Sequence, residues 1–63
     1  MKLLIEIEMD NAVFEDDGEG LEASRVLSTI QNKIEDIPDF SLGDKGSVYD
    51  LNGNTVAFWE VRE

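Results

Sequence analysis

Ser47-Val48-Tyr49-Asp50-Leu51-Asn52-Gly53-Asn54-Thr55-Val56-Ala57-Phe58-Trp59-Glu60-Val61-Arg62 reads as two strands joined by a tight turn, and its register decides which side chains the fold buries. Aromatic and β-branched residues fill both arms, and the Asn-Gly pair tolerates the positive φ that hairpin turns need. Two turn geometries compete. A two-residue type I′ turn at Asn52-Gly53 pairs Tyr49 with Val56. A three-residue type I turn, with Gly53 in the left-handed bulge position, pairs Asp50 with Asn54 and Tyr49 with Thr55. The second employs Asp50 as the side chain that closes the turn and is preferred. A one-residue slip would exchange the faces of each strand. In the preferred register Tyr49, Ala57, Trp59 and Val61 share one face, and Val48, Val56, Phe58 and Glu60 share the other. The first face excludes charge and is assigned to the core.

Upstream of the hairpin, Ala23, Val26, Leu27, Ile30, Ile34 and Ile37 recur at steps of three or four, the stripe of a helix spanning residues 21–37. Glu19 and Glu22 suit the positive end of its dipole, Asp17 is a candidate cap, and Pro38 stops it. Residues 2–9 alternate instead: Leu3, Ile5, Ile7 and Met9 point one way, and Lys2, Leu4, Glu6 and Glu8 the other, as in a half-buried strand. Asp10 to Gly20 follows neither period and reads as a loop, with Phe14 folded back as its apolar anchor. The expected fold is α+β in the order β-α-β-β, a three-stranded antiparallel sheet with one helix packed on one face. Residues 1–63 make a single domain.

This arrangement leaves Leu4, Val48, Val56 and Phe58 on a sheet face that no second helix covers. An apolar patch on so small a protein marks an interaction surface, and two copies packing sheet on sheet, a homodimer, would supply the core that a short chain lacks. Alternatively Phe40 and Leu42 wrap round and cover part of it.

The net charge is -10, from 15 acids against 5 bases, and no base interrupts the sequence between Glu6 and Glu22. With 41% hydrophobic residues the chain is apolar enough to collapse despite this charge. Such a surface repels nucleic acid and anionic membrane and attracts proteins that hold phosphates. Direct nucleic-acid binding is therefore not expected. The longest apolar run, Leu3 to Ile5, cannot span a bilayer, so the expected address is the cytoplasm. No cysteine and no histidine occur, which removes disulfides, thiolate chemistry and the commonest metal ligand and general base. The carboxylates match no EF-hand spacing, and a three-stranded sheet with one helix offers no cleft to separate two carboxylate pKa values. The chain is accordingly read as a non-enzyme without cofactor or metal.

The strand Ile5-Glu6-Ile7-Glu8, then Asp10-Asn11-Ala12 and Phe14-Glu15-Asp16-Asp17, a helix running from Glu22 through Arg25 and Leu27 to Ile34-Glu35, and the hairpin Asp50-x-Asn52-Gly53-Asn54-x-Val56 together resemble a group of small acidic proteins of bacteriophages and prophages. The resemblance covers nearly the whole chain in order and carries no site residues with it. It implies a genomic setting in which short acidic proteins often disarm host defences, and hence the cytoplasm of a host cell.

On the residues themselves, Glu6 and Glu8 stand about 6.6 Å apart on one strand face by strand geometry. Asp10, Glu15, Asp16, Asp17, Glu19 and Glu22 continue the acidic track. The expected function is that of a counter-defence protein that blocks a CRISPR or restriction effector by offering this face, in place of nucleic acid, to the partner's basic groove. The alternative is a small dimeric adaptor or assembly protein docking a partner through the open apolar sheet face, with the charge serving solubility only.

Overall fold

Asn11 lies within the stretch Asp10 to Gly20 that reads as a loop from sequence, and it caps a helix there. In a computed structural model describing residues 1–63, the elements are β1 (Lys2–Ile7), α1 (Ala12–Asp17), α2 (Glu19–Ile34), β2 (Lys45–Tyr49) and β3 (Thr55–Arg62). The fold is α+β with an open three-stranded antiparallel sheet, but the order is β-α-α-β-β, with two helices rather than one. The added helix is local chemistry: the Asn11 side chain accepts from Val13 N at 2.9 Å, and Phe14 N bonds Asn11 O at 3.0 Å, a side-chain cap of the first turn. Phe14 is fully buried, as an anchor should be.

Gly18, at φ 94°, separates α1 from α2 and stands at the N-cap of α2, where no side-chain bond forms. Asp17 is not that cap. It ends α1 and faces Arg25 at 3.8 Å instead. The regular part of α2 stops at Ile34, three residues short of the expected end, and Ile37 N reaches back to Ile34 O in one tighter turn.

The strand order is β1-β3-β2, with β3 in the centre. At the hairpin apex the three-residue turn forms: Asp50 N bonds Asn54 O at 2.9 Å, Gly53 N bonds Asp50 O at 3.1 Å, and Gly53 takes φ 84°. Tyr49 pairs with Thr55 as expected. One residue further the register shifts, because Val48 pairs with Ala57 and Val56 is left as the extra residue of a β-bulge. The bulge reverses the facing of the apex relative to the base. Val48 and Val56, assigned by sequence to the open face, are buried in the core, while Tyr49, assigned to the core, is exposed. The physical reason is burial itself, since the extra residue lets Val56 and Ala57 both turn inward where strict alternation would leave two valines in water. Ala57, Trp59 and Val61 occupy the core face as expected, and Leu4 and Phe58 remain on the open one.

The core comprises Phe14, Val26, Ile30, Val48, Val56, Ala57, Trp59 and Val61. Its centre is the Trp59 indole lying across Gly46, the residue opposite it on β2, with the Phe40 ring tilted against it at 6.1 Å. Phe40 thus covers the helix side of the sheet, not the open side, and Leu42 is exposed. A helix is about 10 Å wide and strands lie about 4.8 Å apart, so one helix covers two strands. Here α2 sits toward β2, where Lys33 Nζ donates to Ser47 O at 3.0 Å. The consequence falls on β1. Instead of a half-buried strand it is nearly bare: on the helix side Leu3 and Ile5 are 37% and 40% exposed and only Ile7 packs against the core, while Leu4 on the open face is 42% exposed.

Two glycine-to-alanine substitutions should act with opposite sign. A Cβ at Gly46 would lie 2.5 Å from Trp59 Nε1 and within 2.9 Å of two ring carbons, so Gly46→Ala is expected to destabilise by about 1–3 kcal/mol. Gly20, inside α2 with nothing within 4 Å, should gain up to about 1 kcal/mol as Ala. Urea unfolding followed by Trp59 fluorescence measures both, and a neutral Gly46→Ala would contradict the packing described.

Candidate functional site

Asp50 is the point at which the turn holds the acidic segment. Its Oδ1 accepts from Asn52 N at 2.9 Å and Asn54 N at 2.8 Å, and its Oδ2 accepts from Asn54 Nδ2 at 3.3 Å. The same Oδ2 accepts from Asn11 Nδ2 at 2.6 Å, across 39 residues of sequence. Asn11 therefore caps α1 with its oxygen and ties α1 to the hairpin with its nitrogen. These donors, led by the Asn54 backbone N–H, hold the Asp50 carboxyl below its ordinary value of 3.8. Phe14 fixes the other side of α1. The short helix is thereby mounted on the fold rather than free to swing.

The eight acids proposed from sequence do not share one face. Glu15, Asp16 and Asp17 on α1 and Glu19 at the start of α2 are all exposed and fall within five residues of chain. Glu8 and Asp10 are exposed on the connection that leads to them. Glu6 departs from the track, for it lies opposite Phe58 on the sheet face away from the helices. Glu22 departs further and is 9% exposed. Residues 22, 26 and 30 are spaced by four and share one line of a helix, so Glu22 sits on the buried stripe of Val26 and Ile30. That spacing was readable in the sequence.

Glu22 lines a cleft of about 130 Å³ between the helices and the hairpin, together with Phe14, Arg25, Val26, Tyr49 and Val56. Its Oε2 is buried with no hydrogen-bond partner, and Arg25 Nη1 stands 3.5 Å away. Arg25 lies between Glu22 and Asp17 and is itself largely exposed. No three carboxylates converge closely enough to hold a metal ion. What the arrangement offers is a fixed negative surface: a corner at the junction of α1 and α2 bearing Glu15, Asp16, Asp17 and Glu19, with Arg25 as its one close counter-charge.

The chain matches no protein-family model, no curated protein and no solved structure. No helix is long and apolar enough to cross a membrane.

The Asp50 network predicts a specific acid response. A carboxyl whose folded value is depressed contributes stability above its unfolded value, and this is lost as pH falls through the folded value. Asn at position 50 keeps an oxygen for the backbone donors but turns an amide NH2, a second donor, toward Asn11 Nδ2. The thermal midpoint of Asp50→Asn should fall below that of the wild type near neutral pH, with the gap narrowing below about pH 4. A gap that stayed constant down to about pH 2 would argue against the carboxylate's role. Asn11→Ala, which removes the cap as well, should cost about 1 kcal/mol or more.

Proposed function

We propose that this protein is a non-enzymatic binding protein that enters the basic, nucleic-acid-handling groove of another protein with the acidic corner of α1 and α2. The observation that carries this reading is the rigid mounting of Glu15, Asp16, Asp17 and Glu19, held by Asn11, Asp50 and Phe14 and balanced nearby by Arg25 alone. Preorganised like charges attract a basic groove without first having to be ordered, and a net charge of -10 steers the encounter. The interacting surface is narrower than the sequence suggested, centred on those four residues with Glu8 and Asp10 beside them. The resemblance to small phage and prophage proteins favours a host defence protein, a CRISPR or restriction effector, as the partner, met in the host cytoplasm.

The open sheet face supports a second reading. Leu4 and Phe58 are each more than two-fifths exposed there, and an adaptor could dock a partner on them, although Val48 and Val56 are not available for that purpose.

The two readings give different results in a plating assay on hosts that carry a CRISPR or restriction system. Expression of the wild type should restore plating of a targeted phage, and Glu15→Ser/Asp16→Ser/Asp17→Ser should lose that protection while keeping a wild-type circular dichroism spectrum. With a purified effector, the triple variant should associate about tenfold or more slowly, and wild-type association should weaken as salt rises past about 0.1 M. Full protection by the triple variant, with loss in Phe58→Asp, would overturn the acidic reading in favour of the adaptor.

A further inference from the structure

The two edges of the sheet are treated differently. On β2 the edge is short, carries the register shift beside Tyr49, and has Lys33 Nζ bonded to the Ser47 carbonyl. A bulge and a lysine are the devices by which proteins blunt an edge strand. On β1 no bulge is present, and its one lysine, Lys2, stands at the end of the strand rather than along it. Six residues run in unbroken register with β3, from Lys2 opposite Arg62 to Ile7 opposite Ala57, and no proline interrupts them.

Backbone alternation shows what this edge presents. Glu8 N donates to Val56 O at 2.8 Å, and in an antiparallel ladder every second residue bonds the same neighbour. Even-numbered residues of β1 therefore bond β3, and Leu3, Ile5 and Ile7 turn their N–H and C=O groups to the free edge.

We propose that two copies of the chain join along β1, antiparallel about a twofold axis at Leu4, making one six-stranded sheet. In that register Leu3 of each copy lies opposite Ile5 of the other as a hydrogen-bonded pair, which the outward backbone groups require. Leu4 meets Leu4, and Lys2 meets Glu6 on the same face, an opposite-charge pair formed twice. The adjacent registers that keep the backbone parity are worse. Centring on Leu3 sets Lys2 against Leu4, and centring on Ile5 sets Leu4 twice against Glu6 and moves the lysine's acidic partner to Glu8, beyond the end of β1. The pattern Lys-Leu-Leu-Ile-Glu is thus complementary to its own reverse. Leu3 and Ile5, which α2 fails to cover, and Leu4 on the open face are the side chains that the second copy shields.

Each copy carries a charge of -10, so self-association should strengthen as salt rises. This is the opposite sign to the binding of a basic partner, and the two proposals stand or fall separately.

Sedimentation velocity on the full chain over a concentration series tests the pairing. The wild type should move from 7.1 kDa toward twice that mass as concentration or salt increases. Ile5→Pro removes an N–H that bonds nothing within the chain and should stay monomeric with a wild-type circular dichroism spectrum. K2E and E6K should each weaken association about tenfold, from two like-charge pairs, and the K2E/E6K double variant should recover it. The charge exchange decides the matter should the proline variant unfold. A wild type that remains monomeric at about 1 mM in high salt, an Ile5→Pro chain that dimerises like the wild type, or a double variant no better than either single one would overturn the proposal.

Discussion

The Trp59 indole needs the space that Gly46 leaves, and much of the architecture follows from that contact. Trp59 on the central strand is buried with its ring over β2 because the residue opposite it there has no side chain. With the ring lying toward β2, its remaining edge is closed by Phe40, and the segment between α2 and β2 has to bring that ring into place. Val26 and Ile30 of α2 join the same cluster, so the helix settles on the β2 side. The bareness of β1 is the cost of this choice, because a single helix cannot cover three strands.

The hairpin turn was legible in the sequence because its determinants are local: Asp50, Asn52, Gly53 and Asn54 supply the closing carboxylate, the left-handed residue and the donors within five positions. The bulge at Val56 was not. Pairing rules fix the register at the apex, but whether it continues depends on which side chains the core can accept, and Val48 and Val56 gain more from burial than strict alternation would allow. Helix α1 escaped for a related reason. Six residues show no period, and the support comes from Phe14 in the core and from a hydrogen bond spanning 39 residues. The one local clue was Asn11 at the cap position ahead of Ala12-Val13-Phe14. Of the acidic residues, position in the chain predicted exposure for most. It failed for Glu22, whose spacing to Val26 and Ile30 was a better guide than its chemical type, and for the facing of Glu6, set by the pairing of β1.

Opposite characters are thereby kept apart over a short length of chain. The middle of β1, Leu3-Leu4-Ile5, is uncharged, whereas the next helix is almost wholly acidic on its exposed side. The division rests on Asn11, which ends one regime and begins the other. Its amide answers both sides of that boundary, the oxygen to the backbone of α1 and the nitrogen to the hairpin 39 residues away. Negative charge is thus carried on a mounted element rather than on a tail, and the same geometry places Glu22 and Arg25 in a cleft behind it.

Lys2 lies opposite Arg62, so β1 finds its place only by closing a loop that contains every other element of the fold. Until then Leu3, Leu4 and Ile5 wait without a partner strand. Closing so long a loop is slow relative to making a helix. β1 therefore joins the sheet later than the β2–β3 hairpin forms, and its apolar residues stay uncovered the longest.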